Sequence, residues 1–278
     1  MKEMVRRAIV AIRARRFVFE ATAKPGRGGN LDDVVTSADR EAQAIYLKTL
    51  RECFPDLGVI AEEDGLRVDC TAPGARMFFT VDPLDGTKAF VRKQSHGIGT
   101  MISLASEGEV LAAYVGDVMT REIYGFRPDS DKVHRISEFD YAETLEISPN
   151  RTLARQNVLL RTAPHRYPIP IREIVDSAGR GSLFKGIDVA SGSIGTGMAR
   201  LWKGEVGGAA LLPGADPPWD MCPIVGISKK LGFVFLRETA AGRLAIFEPR
   251  VSAEATERPH AALIVHESRL AELAPWMA

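Results

Sequence analysis

Residues 78–90 constrain the fold more than any other stretch, because they combine a short apolar run with a proline, two acids, a glycine and a hydroxyl. Phe78 to Val81 is aromatic and β-branched, which is typical of a buried strand. Pro83 has no N–H to donate to a neighbouring strand, so the strand is predicted to end there. Asp82 and Asp85 are therefore expected at the end of a strand.

Gly86 and Thr87 follow these acids and open a predicted helix from Lys88 to Lys93. The free N–H groups at a helix start form a site for an anion. Carboxylates suited to a cation thus precede donors suited to a phosphate. An ordinary Asp-Pro turn with a threonine cap would use the same residue types, so this stretch alone leaves both interpretations open.

The composition excludes several classes of partner. The 278 residues suit one large domain or two lobes, and Lys plus Arg balance Asp plus Glu at 36 each. Net neutrality argues against nucleic-acid polymers and membrane surfaces as partners, and no apolar run approaches the roughly 20 residues of a membrane span. The three cysteines lack metal-ligand spacing and the N-terminus does not resemble a signal peptide, so a cytoplasmic location is expected.

The first 60 residues predict two helices and a strand. Apolar positions predict an amphipathic helix over residues 2 to about 23, and a second helix over residues 39 to 53 begins at Thr36-Ser37-Ala38-Asp39. A short strand, Val59 to Ala61, then ends at Glu62-Glu63-Asp64. Consecutive acids repel one another unless a cation or solvent relieves them, so a metal site and a solvated turn are the two interpretations.

The remaining pattern predicts an α/β fold of two lobes, residues 1–145 and 146–278, each with a mixed sheet. An antiparallel meander is expected in the first lobe, and alternating strands and helices in the second. The predicted later strands lie at 97–104, 110–118, 121–126, 157–162, 183–189, 206–212, 233–236, 244–247 and 262–265, and the later helices at 169–178, 198–203 and 219–231.

Two helix starts in the second lobe carry candidate chemistry. Ser191 to Gly197 is a Gly/Ser-rich entry to a helix, which suits either a second phosphate cradle or close packing of helix on sheet. Asp220 follows Trp219 in the first turn of another helix, where it would also stabilise the helix dipole without any ligand.

Four blocks together resemble the inositol monophosphatase superfamily, the magnesium-dependent, lithium-sensitive phosphomonoesterases. The blocks are Asp82-Pro83-Leu84-Asp85-Gly86-Thr87, Asp33-Val34-Val35-Thr36-Ser37-Ala38-Asp39, Ile60-Ala61-Glu62-Glu63-Asp64 and Trp219-Asp220. They occur in the family's order and cover roughly residues 30 to 235. The resemblance implies a layered αβαβα sandwich, a small phosphorylated substrate and a homodimer.

The resemblance also implies a role for each matched residue. Metal ligands for two to three Mg²⁺ ions are expected at Glu62, Asp82, the carbonyl of Leu84, Asp85 and Asp220. Asp82 would be shared by two ions, and Glu62 would reach a weaker third ion through water. Thr87, oriented by Asp39 and supported by Glu63, would position the attacking water, and the N–H groups of Gly86 and Thr87 would bind the phosphate.

The substrate is less constrained than the reaction. Inositol phosphatases usually carry an acid a few residues before Trp-Asp, and Pro213 or its neighbours fill that position here. Local motifs are more similar to the 3'(2'),5'-bisphosphate nucleotidase branch, although Ala89 replaces an acid common there. The alternatives are an inositol-1-phosphate, sugar, polyol or histidinol phosphatase, and a non-catalytic phosphate-ligand binding protein. The expected substrate rim is Arg161, Ser191, Ser193 and Thr196.

Overall fold

Two β-sheets alternate with three layers of helices in this computed structural model, which describes residues 1–24, 33–106, 108–148, 150–175 and 183–278. The first helix layer packs on one face of an eight-stranded sheet, the second lies between the two sheets, and the third covers the far face of a six-stranded sheet. The predicted αβαβα sandwich is confirmed. All strands of the eight-stranded sheet precede residue 145, and all strands of the six-stranded sheet follow it. The division of the chain into two lobes at this residue stays a prediction.

The α-helices of the described residues are α1 (Lys2–Ala14), α2 (Ser37–Cys53), α3 (Thr87–Val91), α4 (Ile169–Val175), α5 (Ile194–Trp202), α6 (Pro218–Lys230) and α7 (Leu270–Leu273). The strands before residue 145 are β1 (Ala21–Lys24), β2 (Asp33–Thr36), β3 (Gly58–Ala61), β4 (Arg67–Val68), β5 (Met77–Asp85), β6 (Gly99–Ser106), β7 (Glu109–Asp117), β8 (Ile123–Phe126), β9 (His134–Ile136) and β10 (Ala142–Thr144). The later strands are β11 (Asn157–Leu160), β12 (Gly186–Val189), β13 (Gly208–Leu211), β14 (Gly214–Asp216), β15 (Phe233–Glu238), β16 (Leu244–Phe247), β17 (Thr256–Arg258) and β18 (Ala262–His266).

The eight-stranded sheet has the order β10-β9-β8-β7-β6-β5-β3-β4. Strands β6, β7 and β8 form the predicted antiparallel meander. It is extended by β5 on one side and by β9 and β10, which were not predicted, on the other, whereas β3 and β5 are parallel. In the six-stranded sheet, ordered β12-β11-β13-β18-β15-β16, β11 is parallel to both neighbours and the other pairs are antiparallel. Both sheets are therefore mixed, as predicted.

The alternating side chains of β5 tie two helix layers to one strand. Phe79 and Val81 face α1 and α2, in a core that includes Ile9 and Tyr46. Phe78 points to the opposite face, toward the layer of α5 and α6. Because side chains alternate along a strand, the same strand delivers Asp82 to the α5 and α6 side.

The structure corrects three predicted boundaries. Helix α5 begins at Ile194 rather than at residue 198, because the Ser193 hydroxyl caps it by accepting from the Thr196 amide. The first helix ends at Ala14 rather than near residue 23, and Ala21–Lys24 is instead β1, paired antiparallel with β2. Strand β5 continues past Pro83 to Asp85, because the pairing with β6 shifts register between Asp82 and Asp85 and Pro83 lies within that irregularity. The predicted residues 176–178 of the fourth helix lie outside the described residues. Within the described part of the chain, helices long and apolar enough to cross a membrane are absent.

Candidate active site

The parallel pairing of β3 and β5 places Glu62 beside Asp82. Ala61 is the register partner of Val81, and the Glu62 amide donates to the Val81 carbonyl at 3.1 Å. Parallel strands end at the same edge of a sheet, so the acids that follow each strand must meet there. Buried hydroxyl groups hold the main chain at Asp82. The Thr100 hydroxyl donates to the Asp82 carbonyl at 3.2 Å, and the Tyr46 and Thr100 hydroxyls are hydrogen-bonded to each other at 2.8 Å.

The turn after Asp85 requires glycine. Gly86 has φ of +91°, and a Cβ there would lie 2.3 Å from the Gly97 carbonyl oxygen and 2.7 Å from the Ser193 amide nitrogen. The left-handed conformation and the crowding both exclude larger residues. Gly86 thus lets the start of α3 come against the chain that precedes α5.

The Asp85 carboxylate is held by the start of α5. Oδ1 accepts from the Ile194 amide at 3.1 Å, and Oδ2 accepts from the Gly195 amide at 2.7 Å and from the Ser193 hydroxyl. A negative charge at a helix N-terminus is favourable, and these are charge-assisted hydrogen bonds. Asp85 therefore joins the end of β5 to the layer of helices between the sheets.

Asp39 and Thr87 form a hydrogen-bonded pair. Thr36 begins α2 with a reciprocal cap, in which its amide donates to Asp39 Oδ2 at 2.7 Å and its hydroxyl accepts from the Ala38 amide. The other oxygen, Oδ1, lies 3.0 Å from the Thr87 hydroxyl, which is also 3.0 Å from the Leu84 carbonyl. Asp39 is thus both the predicted helix cap and a partner of Thr87.

Glu63 is buried and held by groups outside the predicted set. Its carboxylate lies 2.7 Å from the Lys24 ammonium, which also lies 3.3 Å from Glu62. The Gln43 amide group exchanges two hydrogen bonds of 3.1 Å with the Glu63 main chain. These contacts keep Glu63 beside Glu62 but engage its carboxylate with Lys24.

A cavity of about 450 Å³ brings most of the predicted residues together. Asp220 reaches it from the first turn of α6, which begins at Pro218 after the cap residue Pro217. The lining residues are Glu62, Asp82, Leu84, Asp85, Gly86, Thr87, Lys88, Ala89, Arg92, Gln94, Arg161, Ser191, Gly192, Trp219 and Asp220. All five predicted metal-binding positions and both predicted phosphate-binding positions thus border one cavity.

Burial and mutual repulsion dominate the electrostatics of these acids. Burial raises the pKa of Asp82 well above its usual value, and the charges of Glu62, Asp85 and Asp220 raise it further. Burial also raises the pKa of Glu62, opposed by Lys24, and that of Asp85, opposed by its hydrogen bonds to Ser193 and Gly195. The pKa of Asp39 is raised by burial to about 6. A cation would relieve this accumulation of buried negative charge.

The donor types fit magnesium, and one atom is unsatisfied. The set contains four carboxylates and a carbonyl, the hard oxygen ligands that Mg²⁺ prefers. Asp82 Oδ1 is buried without a hydrogen-bond partner in the described structure. Among the described residues, no three Asp, Glu, His or Cys side chains stand as a formed coordination cluster, and Lys24 and the start of α5 hold two of the four carboxylates.

The expected substrate rim divides between two cavities. Arg161 and Ser191 line the 450 Å³ cavity. Ser193 and Thr196 instead line a neighbouring cavity of about 290 Å³, and both are buried. The Ser193 hydroxyl accepts from the Thr196 amide at 2.9 Å and donates to Asp85, so it caps α5.

Six cavity residues were not predicted as site residues, nor was Lys24; two of the six, Ala89 and Gly192, have no side-chain polar group. Lys88, Arg92, Gln94 and Trp219 line the cavity, and Lys24 pairs with the two glutamates. The spacing of Lys88 and Arg92 by four residues in a helix that starts at a candidate phosphate site was an available signal. The partner of Lys24 depends on how the β1–β2 hairpin lies against the end of β3, which no local pattern reports.

Comparison with curated proteins shows similarity to two differently named groups. Nus factor SuhB of Vibrio cholerae is 36% identical over 98 residues, which cover 35% of this chain and 34% of that protein. The histidinol-phosphatase of Chlorobaculum parvum is 24% identical over 206 residues, covering 72% of this chain and 71% of that protein. The chain spans only 34% to 45% of the length of the first SuhB relatives.

Solved structures confirm the fold over the whole chain. The Thermotoga maritima IMPase superposes with a TM-score of 0.72 at 18% identity, covering 99% of this chain and 93% of that one. An IMPase/NADP phosphatase complexed with NADP and Ca²⁺ gives a TM-score of 0.70 at 17% identity, covering 98% and 90%. The sequence profile of the inositol monophosphatase family matches residues 2–271. The chain therefore belongs to the inositol monophosphatase family.

Proposed function

We propose that the protein is a magnesium-dependent phosphoric monoester hydrolase. The observation that carries the proposal is the buried, unpartnered oxygen of Asp82 among Glu62, Asp85 and Asp220, in the cavity that Thr87 also lines. Members of the family are phosphomonoesterases, and one structural relative is an IMPase/NADP phosphatase complexed with Mg²⁺ and phosphate. The same combination of acids and phosphate donors supports that chemistry here.

The metal ligands proposed are those expected from the sequence. Glu62, Asp82 and the Leu84 carbonyl would hold one ion, and Asp82, Asp85 and Asp220 a second. Bound Mg²⁺ supplies activation of a water and neutralisation of the leaving oxygen. A weaker third ion near Glu62 and inhibition by lithium belong to the same proposal, as do a homodimer and a cytoplasmic location.

The chain's own residues orient the water and the phosphate. The Thr87 hydroxyl donates its proton toward Asp39 or the Leu84 carbonyl, which leaves its oxygen lone pairs to accept a hydrogen bond from the attacking water. The buried Asp39 fixes that direction, and its own position is fixed by Thr36. The N–H groups of Gly86 and Thr87 would bind the phosphate, while Glu63 supports the site through Lys24.

For the substrate, we infer a 3'(2'),5'-bisphosphate nucleotide. A polyol phosphatase needs an acceptor before Trp219, and the acid nearest to it is engaged elsewhere, because Asp216 makes two hydrogen bonds of 2.9 and 3.1 Å with Arg258. Structural relatives include an IMPase/NADP phosphatase bound to NADP and SaIMPase-II bound to 2'AMP, both nucleotides. SaIMPase-II was also solved with inositol monophosphate bound, which keeps an inositol phosphate as a second candidate substrate. The similarity to a histidinol-phosphatase keeps histidinol phosphate as another alternative.

The test is phosphate release from four substrates with and without Mg²⁺. Adenosine 3',5'-bisphosphate, inositol 1-phosphate, fructose 1,6-bisphosphate and histidinol phosphate are compared by kcat/KM, because sites that hydrogen-bond a substrate reject analogues strongly. We expect magnesium-dependent turnover with the nucleotide preferred by tenfold or more. Preference for inositol 1-phosphate by that margin would overturn the nucleotide assignment and leave the hydrolase standing. Binding of these ligands without turnover would favour a non-catalytic binding protein.

A further inference from the structure

Helix α3 and the residue directly after it present two cationic side chains to the cavity. Lys88 and Arg92 lie four residues apart and both line it. Residues at this spacing share one face of a helix, about 6 Å apart along the axis. Like charges at this spacing repel each other weakly, and an anion bound between them would remove that repulsion. Neither side chain has an ion pair or a side-chain hydrogen bond with any other described residue.

The helix that carries them is fixed on its other face. Ala89 and Phe90 are buried between Lys88 and Arg92, and the Phe90 ring packs on Phe19 with centroids 5.0 Å apart. Arg16 donates to the Lys93 carbonyl at 3.2 Å, directly after the helix. Short as α3 is, it is anchored on the layer of α1 and α2, so the two cations project from a rigid support.

The opposite rim has fewer donors to offer. Arg161 donates to the Ser193 carbonyl at 2.9 Å and to the Gly192 carbonyl. Ser193 is engaged with Asp85, and Thr196 lines the neighbouring cavity. Arg161 and Ser193 therefore hold the protein together at this point, and Ser191 is the expected rim donor that remains exposed in this cavity. The exposed cations of the cavity are Lys88 and Arg92.

We propose that Lys88 and Arg92 bind a second phosphate group of the substrate, so that the enzyme prefers phosphomonoesters carrying two phosphates. This inference rests on the proposed function for the first phosphate. It assigns binding of the second phosphate to Lys88 and Arg92 instead of to Ser193 and Thr196, the rim residues expected from the sequence. The cavity of about 450 Å³ has the volume for a small nucleotide. The acids and the two cations line the same cavity, so a ligand with two phosphates can contact both groups.

A matched substrate pair isolates the second phosphate. Adenosine 3',5'-bisphosphate and adenosine 3'-monophosphate differ only in the 5'-phosphate, so their ratio of kcat/KM measures its contribution. We expect wild-type protein to prefer the bisphosphate at least tenfold, and the double variant Lys88→Gln/Arg92→Gln to lose most of this preference through KM. The kcat/KM for the monophosphate should stay within about twofold. Lys88→Arg should retain the preference, and Lys93→Gln, which changes a neighbouring residue outside the cavity lining, should not alter it.

Binding to Mg²⁺-loaded protein, measured by calorimetry, separates this inference from the proposed function. If neither substrate is hydrolysed but the bisphosphate binds more tightly than the monophosphate, and the double variant loses that difference, the subsite stands and the hydrolase assignment fails. If both substrates are hydrolysed equally well, or the double variant loses activity equally on both, the second-phosphate site is overturned and the hydrolase assignment stands.

Discussion

Replacing Asp82 and Asp85 separately by asparagine should change the stability of the metal-free protein in opposite directions. Asp82 is 2% exposed, has one oxygen without a partner and faces three other acids. A buried polar group without a partner costs about 1–3 kcal/mol, and more when charged. Asparagine removes the charge and keeps the shape, so Asp82→Asn should stabilise the metal-free protein by about 1–3 kcal/mol.

Asp85→Asn should instead lower the stability of the metal-free protein, because both oxygens of the Asp85 carboxylate accept hydrogen bonds. It accepts hydrogen bonds from two amides and the Ser193 hydroxyl. Asparagine retains only one acceptor oxygen, so at least one donor loses its partner, and hydrogen bonds to charged groups contribute about 1.5–3 kcal/mol each. We expect Asp85→Asn to destabilise the protein by about that amount. At roughly 2–4 °C per kcal/mol, both changes are measurable by melting temperature.

The assay is thermal unfolding followed by circular dichroism at pH 8, first with EDTA and then with Mg²⁺. Metal at about 100 times its Kd should stabilise wild-type protein by roughly 2.7 kcal/mol, and each variant by much less. If Asp82→Asn melts below wild type in EDTA, or if both variants shift in the same direction, the assignment of Asp82 as the buried acid with an unsatisfied oxygen is wrong.

Three further variants test the neighbours of these acids. Thr87→Ala should lower kcat about a hundredfold while Mg²⁺ affinity, measured by calorimetry, stays near wild type, and Thr87→Ser should restore most of kcat; near-normal kcat in Thr87→Ala would remove Thr87 from the catalytic set. Because burial raises the pKa of Asp39 to about 6, kcat should fall below that pH, and Asp39→Asn should have lower kcat without this acidic limb. A wild-type kcat that stays flat down to pH 4.5 would contradict this role of Asp39. The raised pKa also means that the native state binds more protons than the unfolded chain between about pH 4 and 6, so the contribution of Asp39 to stability should fall as pH rises through this window. Lys24→Met should destabilise the metal-free protein and enlarge the Mg²⁺-induced rise in melting temperature, because Glu62 and Glu63 lose their cation, whereas Lys48→Met on the exposed face of α2 should change neither.

The parts of the site that follow from strand order could be predicted from sequence. Glu62 and Asp82 each end an apolar strand, and two such strands place their following acids at a common edge when they pair in parallel. Asp39 was predicted at the start of α2, because Thr36-Ser37-Ala38-Asp39 has the residue types of a helix cap. Local chemistry was sufficient for these positions.

The contacts that depend on distant segments could not be predicted. Asp85 and Ser193 are 108 positions apart, and nothing in either motif specifies that one accepts from the other. Ser193 was expected to face substrate because Gly/Ser-rich helix starts bind phosphate, whereas here the anion bound by that helix start is Asp85 itself. The continuation of β5 beyond Pro83 has the same origin, since only the partner strand β6 determines where the register shift falls.

Ser193 also links the two sides of the cavity through three separate contacts. Its amide donates to the Gly97 carbonyl at 2.8 Å, its hydroxyl donates to Asp85, and its carbonyl accepts from Arg161 at 2.9 Å. Gly97 and Asp85 precede residue 145, whereas Arg161 follows β11. The geometry of a proposed metal ligand is therefore set by residues of the second half of the chain. Because those residues hold Asp85, substitutions there would alter the metal site as well as the rim. Among the described residues, the side chains of Lys88 and Arg92 make no such contacts, so substitutions at these two positions can change selectivity without changing the metal site.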